Sequence, residues 1–261
     1  MLSDARATLP EGKPSAADLP SPPLRIAGLC LFLDLDGVLA PLAETPEAVV
    51  PVARRTQVLR RLNEVLNGRM AIVSGRTLIE IDRISDASSP SASGVHGLER
   101  RRRNGSIDRR EADPGVRTAV AAFEAFAVRN PGVIVEDKGV SAGLHYRGAQ
   151  DAEAASLALA RSIASHTGLS LQAGAMVVEL KTPGADKGTA LSAFMSETPF
   201  VDGVPVMLGD DLTDEDGFRA AAALGGFGVL VGPMRATAAA CRLDGVDAVL
   251  DWLDAVADAQ A

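Results

Sequence analysis

Short apolar runs that alternate with longer segments of helical period constrain this fold more than any other feature of the chain. Leu31-Phe32-Leu33 and Ala71-Ile72-Val73 are uniformly apolar, as strands covered on both faces must be, and polar or glycine positions follow each run. Val58, Leu59, Leu62, Val65 and Leu66 recur with the period of one helix face, and Gly68 stands where a helix stop is expected. Residues 204–208 and 227–231 are further strand candidates, with a helix over 218–224 between them. That rhythm implies an α/β class fold built on a doubly wound parallel sheet, whose ligands lie beyond the C-terminal ends of its strands.

The middle of the chain reads differently. Residues 133–135, 141–147 and 176–180 are strand-like pieces separated by helical stretches near 116–128 and 152–166, enough for a small sheet covered by two helices. The pattern predicts an inserted domain over 113–182 and a core formed by 24–112 and 183–261. Asn104-Gly105 reads as a two-residue hairpin turn and Pro183-Gly184 as the return hinge. Residues 1–23, rich in Pro, Ser and Ala, are expected to form a flexible leader.

Composition removes several function classes. Of the 261 residues, 47% are hydrophobic and 23% charged, which suits neither a disordered chain nor a membrane protein. Lys plus Arg is 26 against 34 Asp plus Glu, so 26 − 34 = −8, a balance unsuited to unspecific binding of nucleic acid or anionic lipid. Six arginines fall between positions 100 and 110, but with aromatics at 3% they read as a solvated basic edge. The least polar stretch, residues 220–234, contains four glycines and is shorter than the ~20 apolar residues of a membrane span. Cys30 and Cys241 are too few for a disulfide framework, so a reducing, cytoplasmic setting is expected.

The candidate chemistry begins at Asp34-Leu35-Asp36-Gly37-Val38, directly after the first apolar run. Two carboxylates two residues apart at a strand end repel unless a cation lies between them and a substrate, and Gly37 lets the backbone turn sharply beside it. As an isolated pair they read equally as a helix cap and a turn aspartate. Ser74-Gly75-Arg76 follows the strand run ending at Val73 and offers a hydroxyl, a flexible amide and a guanidinium, groups that bind phosphate. Asp186-Lys187-Gly188 opens a helix just after the hinge. The segment from Gly209 to Asp216 holds five carboxylates within seven residues, a density that calls for a nearby metal, although a helix dipole could use some of them. Asp210 is the first candidate ligand. Asp214 is the next, as a ligand or as an orienting partner of Lys187.

In that order and at those strand ends, Asp-x-Asp, Ser, Lys and Gly-Asp-Asp resemble the haloacid dehalogenase-like superfamily over residues 31–231. Gly94-Val95-His96-Gly97-Leu98-Glu99, the run from Val135-Glu136-Asp137-Lys138-Gly139 to Leu144-His145-Tyr146-Arg147, Val178-Glu179-Leu180 and Gly209-Asp210-Asp211-Leu212-Thr213-Asp214-Glu215-Asp216 resemble the trehalose-6-phosphate phosphatase family within it. The resemblance implies a Rossmann-like core with an inserted α/β cap, and hydrolysis of trehalose 6-phosphate with Mg²⁺ as cofactor. It makes Asp34 the nucleophile, through an aspartyl-phosphate, and Asp36 the acid and then base. Ser74 and Lys187 bind the phosphoryl group, with Gly75 and Arg76 beside them. Asp34, the backbone carbonyl of Asp36 and Asp210 hold the metal, and Glu136, Lys138 and Glu179 of the cap meet the sugar. A functional link to a trehalose-6-phosphate synthase is implied as well, with no nucleic-acid or membrane partner.

Other charged positions read either way. His96, Glu99, His145 and Arg147 suit the cleft or ordinary packing, and His166 suits a helix C-terminus. A phosphatase of another sugar phosphate, of the sucrose-phosphate or mannosylglycerate-phosphate type, shares the core motifs. A sensor that binds without turnover would not need all of them.

Overall fold

In the computed structural model, which describes residues 19–43, 45–174 and 176–261, the chain opens with β1 (Leu29–Leu33), α1 (Ala53–Val65), β2 (Met70–Val73), α2 (Leu78–Ser85) and β3 (Ser91–Gly94). A hairpin of β4 (Glu99–Arg101) and β5 (Ile107–Arg109) follows. Then come α3 (Gly115–Arg129), β6 (Ile134–Asp137), β7 (Ser141–His145), α4 (Glu153–Thr167), β8 (Ser170–Gly174) and β9 (Val177–Lys181). The chain ends with α5 (Lys187–Met195), β10 (Val204–Gly209), α6 (Glu215–Ala223), β11 (Phe227–Val231), β12 (Cys241–Leu243) and α7 (Val246–Gln260).

The larger sheet has the order β12-β11-β10-β1-β2-β3-β4-β5, parallel as far as β3 and antiparallel through β4 and β5. All five residues of β1 are buried. Leu29, Leu31 and Leu33 join α1, α2 and α7 in one apolar layer, while Cys30 and Phe32 join α5 and α6 in the other. A strand sandwiched this way has no room for a polar side chain, so its first carboxylate, Asp34, falls at its C-terminal end. Phe32, Phe194 and Phe200 lock the second layer, with the Phe32 and Phe200 rings stacked 5.4 Å apart. Each fully buried phenylalanine contributes about 1.5–3 kcal/mol of transfer free energy.

From β1 the chain steps outward to β2 and β3, then returns to place β10 on the other side of β1. The strand order therefore reverses between β1 and β10, where an open α/β sheet leaves a crevice for its ligand.

β6, β7, β9 and β8 form a second, antiparallel sheet in that order. Ala142, Leu144, Val178 and Leu180 face α3 and α4 in an apolar layer of their own. The opposite face is polar. Register sets Glu136 opposite Gly143, Gly143 opposite Glu179, and Glu179 opposite Gln172, so these residues form one row across all four strands.

Several details differ from the sequence expectation. Ser170–Gly174 is an additional strand; Leu171 and Ala173 alternate with Ser170 and Gln172, but the run is short and only weakly apolar. The β4–β5 turn closes over three residues, 103–105, with Arg102 N–H bonded to the Ser106 carbonyl and Gly105 at φ +85. The expected basic edge is partly folded inward: Arg100 lies 5.2 Å over the Phe194 ring and Arg101 forks onto Asp82. Of the expected leader, residues 1–18 lie outside the described residues. Residues 19–23 are fastened to the core, since the Pro20 carbonyl accepts from Arg242 N and the Pro22 carbonyl from the Trp252 indole. No helix among the described residues is long and apolar enough to cross a membrane.

Candidate active site

The crevice between β1 and β10 gathers residues from four separate stretches. Asp34 leaves β1 with its amide bonded to the Leu208 carbonyl of β10 at 3.1 Å, and its side chain is buried. Lys187 is the first residue of α5, whose start is set by a reciprocal cap. Asp186 Oδ1 accepts from Thr189 N at 2.7 Å, and Thr189 Oγ1 accepts from Asp186 N at 2.9 Å. That cap aims a 2% exposed ammonium into the crevice, where Lys187 Nζ lies 2.8 Å from Asp34 Oδ2 and 2.7 Å from Asp214 Oδ1.

Asp214 is fully buried and both its oxygens are engaged. Oδ1 takes Lys187, and Oδ2 accepts the Asp210 and Asp211 amides at 3.0 Å each. Gly209 permits this fold-back, since a Cβ there would stand 2.1 Å from Asp214 Cγ. Of the two roles open to Asp214, the geometry matches the orienting partner of Lys187.

Asp34, Asp210 and Asp214 each bring a carboxylate oxygen within 4.8 Å of the others. Three carboxylates against one lysine strain the electrostatics. Burial, with Asp214 as the nearest like charge, pushes the Asp210 carboxyl up to about 7, and burial raises Asp34 well above its ordinary range despite Lys187. Lys187 itself is raised, because the two carboxylates outweigh its desolvation.

Ser74 follows β2, is 1% exposed, and accepts the Arg76 amide at 3.2 Å. Arg76 lines the crevice beside Ser74, as expected, and has a further role. Its guanidinium forks across Asp36, Nε to Oδ2 at 2.8 Å and Nη2 to Oδ1 at 2.9 Å, and reaches Glu80 at 3.1 Å. It therefore orients Asp36, a relation no sequence spacing announces.

The polar row of the second sheet faces this crevice. Lys138 Nζ donates to the Gly75 carbonyl at 3.0 Å and to Glu179 Oε2 at 3.1 Å, with Glu136 3.5 Å away. Glu179 is 5% exposed; burial raises its pKa, but Lys138 and His96 more than offset this and hold it low. Its Oε1 has no well-formed hydrogen bond. His96 Nε2 is 3.6 Å from Glu179 and 2.8 Å from the Gln172 amide. Burial lowers the His96 pKa, with Glu179 opposing. Glu136 pairs with His145 at 2.8 Å, and Arg147 Nη1 donates to the Ala43 carbonyl at 2.6 Å. Sequence reasoning missed Gln172. Its only signal is its register opposite Glu179, which pairing alone reveals. Glu99 turns away from the crevice and accepts the Leu78 amide at the start of α2.

Between the two sheets lies a cavity of about 700 Å³, with Asp34, Asp210 and Lys187 on one wall and Glu136, Lys138 and Glu179 on the other. A parallel sheet whose central strand ends in this acidic pair, with a serine after β2, a lysine at the start of α5 and an aspartate after β10, is the arrangement expected of the haloacid dehalogenase-like class. The family model for trehalose-phosphatase matches residues 32–247, and the chain belongs to that family. It is 39% identical over 237 residues to the trehalose-6-phosphate phosphatase of Escherichia coli (strain K12), spanning 87% of this chain and 86% of that protein. It is 36% identical to the "Probable trehalose-phosphate phosphatase" of Sinorhizobium fredii, over 78% of this chain and 77% of the relative. Among solved structures, a trehalose-6-phosphate phosphatase related protein superposes with a TM-score of 0.72 at 25% identity, covering 88% of this chain and 97% of the other. The C-terminal domain of the C. albicans trehalose-6-phosphate phosphatase shares the fold at 19% identity, with a TM-score of 0.81 and 92% and 99% coverage.

Proposed function

We propose that the chain hydrolyses trehalose 6-phosphate to trehalose and phosphate, with Asp34 as nucleophile. The observation that carries this reading is the contact of a fully buried lysine with Asp34, beneath a second wall of sugar-compatible groups. Asp34 attacks phosphorus and the bond to the sugar oxygen breaks, while Asp36, held by Arg76, gives that oxygen a proton. Water then attacks the aspartyl-phosphate, Asp36 takes its proton, and phosphate leaves with Asp34 restored. Fixed proton transfer of this kind contributes ~10²–10⁴ in rate. Ser74 and Lys187 bind the phosphoryl oxygens.

The acidic cluster fits Mg²⁺. Its donors are all oxygen, its charge is undercompensated by Lys187, and Asp214 is spent on other partners. Asp34, Asp210 and the backbone carbonyl of Asp36 are the groups that would hold the ion, which supplies countercharge for an anionic nucleophile and a phosphate dianion.

Residues 113–182 act as a cap whose Glu136, Lys138 and Glu179 read the sugar. Hydroxyl-rich ligands are discriminated by buried polar groups that go unpaired with the wrong substrate, and Glu179 Oε1 is such a group. A trehalose-6-phosphate synthase would supply the substrate. Phosphate release from a panel of sugar phosphates, with and without Mg²⁺, tests the reading. Preference for trehalose 6-phosphate supports it, preference for sucrose 6-phosphate or mannosylglycerate phosphate reassigns the sugar, and saturable binding without release would leave a sensor.

A further inference from the structure

The segment carrying Asp210 is gripped from both sides. Asp214 Oδ2 holds the amides of Asp210 and Asp211. Their carbonyls are held by an arginine from another part of the chain. Arg235, in the loop between β11 and β12, donates from Nη2 to the Asp211 carbonyl at 2.7 Å and lies 3.4 Å from the Asp210 carbonyl through both Nε and Nη2. Its Nη1 pairs with Glu215 Oε1 and also donates to the Ala236 carbonyl at 3.1 Å. Glu215, the buried first residue of α6, is tied back in turn, because its Oε2 accepts the Ala238 amide at 2.7 Å.

The guanidinium thus joins three parts of the fold: the loop after β10, the start of α6 and the loop after β11. A planar fork can reach two carbonyls and a carboxylate at once, which an ammonium cannot do with the same geometry. The Asp211 carbonyl also accepts the Asp214 amide at 3.2 Å, within its own turn, whereas among the described contacts the Asp210 carbonyl is met from another part of the chain only by Arg235. The direction of the Asp210 side chain therefore depends in part on Arg235.

The geometry points to Arg235, braced by Glu215, as a positioning residue that aims Asp210 for a divalent cation. This rests on the reading of Asp210 as a metal ligand, and the test separates the two. Mg²⁺ is titrated calorimetrically into the substrate-free full chain, wild type, Asp210→Asn, Arg235→Ala and Arg235→Lys, with a melting curve for each. Binding should be lost in Asp210→Asn and weakened about 10–100-fold in Arg235→Ala, the loss typical when a partner behind a metal ligand is removed. Arg235→Lys, which keeps the charge without the fork, should fall between and covers the case in which the alanine variant does not fold. At saturating Mg²⁺ the KM for trehalose 6-phosphate should stay within about twofold of wild type, since Arg235 touches no sugar-facing residue. Undiminished binding in Asp210→Asn would remove the ligand reading and this inference with it. Loss in Asp210→Asn beside wild-type affinity in both Arg235 variants would overturn the brace alone, as would a lowered melting temperature with unchanged affinity.

Discussion

Replacing Gly37 by alanine should separate stability from catalysis. Gly37 has φ +73, and a Cβ built there lies 2.0 Å from Asp210 Oδ2. Ordinary contact begins at 3.4 Å, so the carboxylate must retreat by 3.4 − 2.0, about 1.4 Å. The left-handed backbone costs an alanine about 1–2 kcal/mol. The clash itself adds little to that, because Asp210 sits on the crevice wall and can swing away. Function should suffer far more. A reacting group displaced by about 1 Å typically loses ~10²-fold in rate, and here the displaced group is a candidate metal ligand. Gly37→Ala should therefore melt only a few degrees below wild type while kcat falls about 100-fold or more and calorimetric Mg²⁺ affinity falls with it. Near-wild-type turnover and Mg²⁺ affinity in a folded Gly37→Ala protein would refute the placement of Asp210 in the reacting centre.

Three further outcomes follow from the same geometry. Asp34→Asn should abolish phosphate release yet keep a folded protein, which circular dichroism and a phosphate assay check together. Glu179→Ala should reduce hydrolysis of trehalose 6-phosphate at least tenfold more than that of p-nitrophenyl phosphate; equal losses would remove Glu179 from sugar recognition. Asp210 is raised from 3.8 to about 7 in the cation-free protein, so the folded chain keeps a proton there that the unfolded chain has lost. Cation-free stability should then decline as pH rises from about 4 to about 7. Mg²⁺ uptake near pH 6 should release a proton, seen as a calorimetric heat that varies with buffer ionisation enthalpy. A buffer-independent heat would count against the shift.

The parallel core was legible because burial on both faces of a strand forces an unbroken apolar run, and such a run pushes the first polar residue to its end. That places Asp34, Ser74 and Asp210 at one sheet edge from sequence alone, and Lys187 entered through the capped helix start beside Asp186. What stayed hidden depends on pairing across distance. Gln172 belongs to the polar row only through its register with Glu179, and the alternation in Ser170–Gly174 is too short and weakly apolar to stand out as a strand. That Arg76 also forks across Asp36 could not be read from its place after Ser74, because the turn after β2 sets that pairing. Arg235 stands in a short loop with no motif, and only the return of the chain beside β10 gives it partners.

Trapping the covalent intermediate tests the central assignment most directly. Wild type and Asp36→Asn are mixed with trehalose 6-phosphate and Mg²⁺, quenched in acid and reduced with borohydride, and the peptide containing residues 31–38 is sequenced by mass spectrometry. The account predicts homoserine at position 34, the reduction product of an aspartyl-phosphate, in the wild type, and slowed phosphate release in Asp36→Asn, which lacks the acid for formation as well as the base for breakdown. Homoserine at another aspartate, or an unmodified position 34 in an enzyme that is turning over, would contradict it.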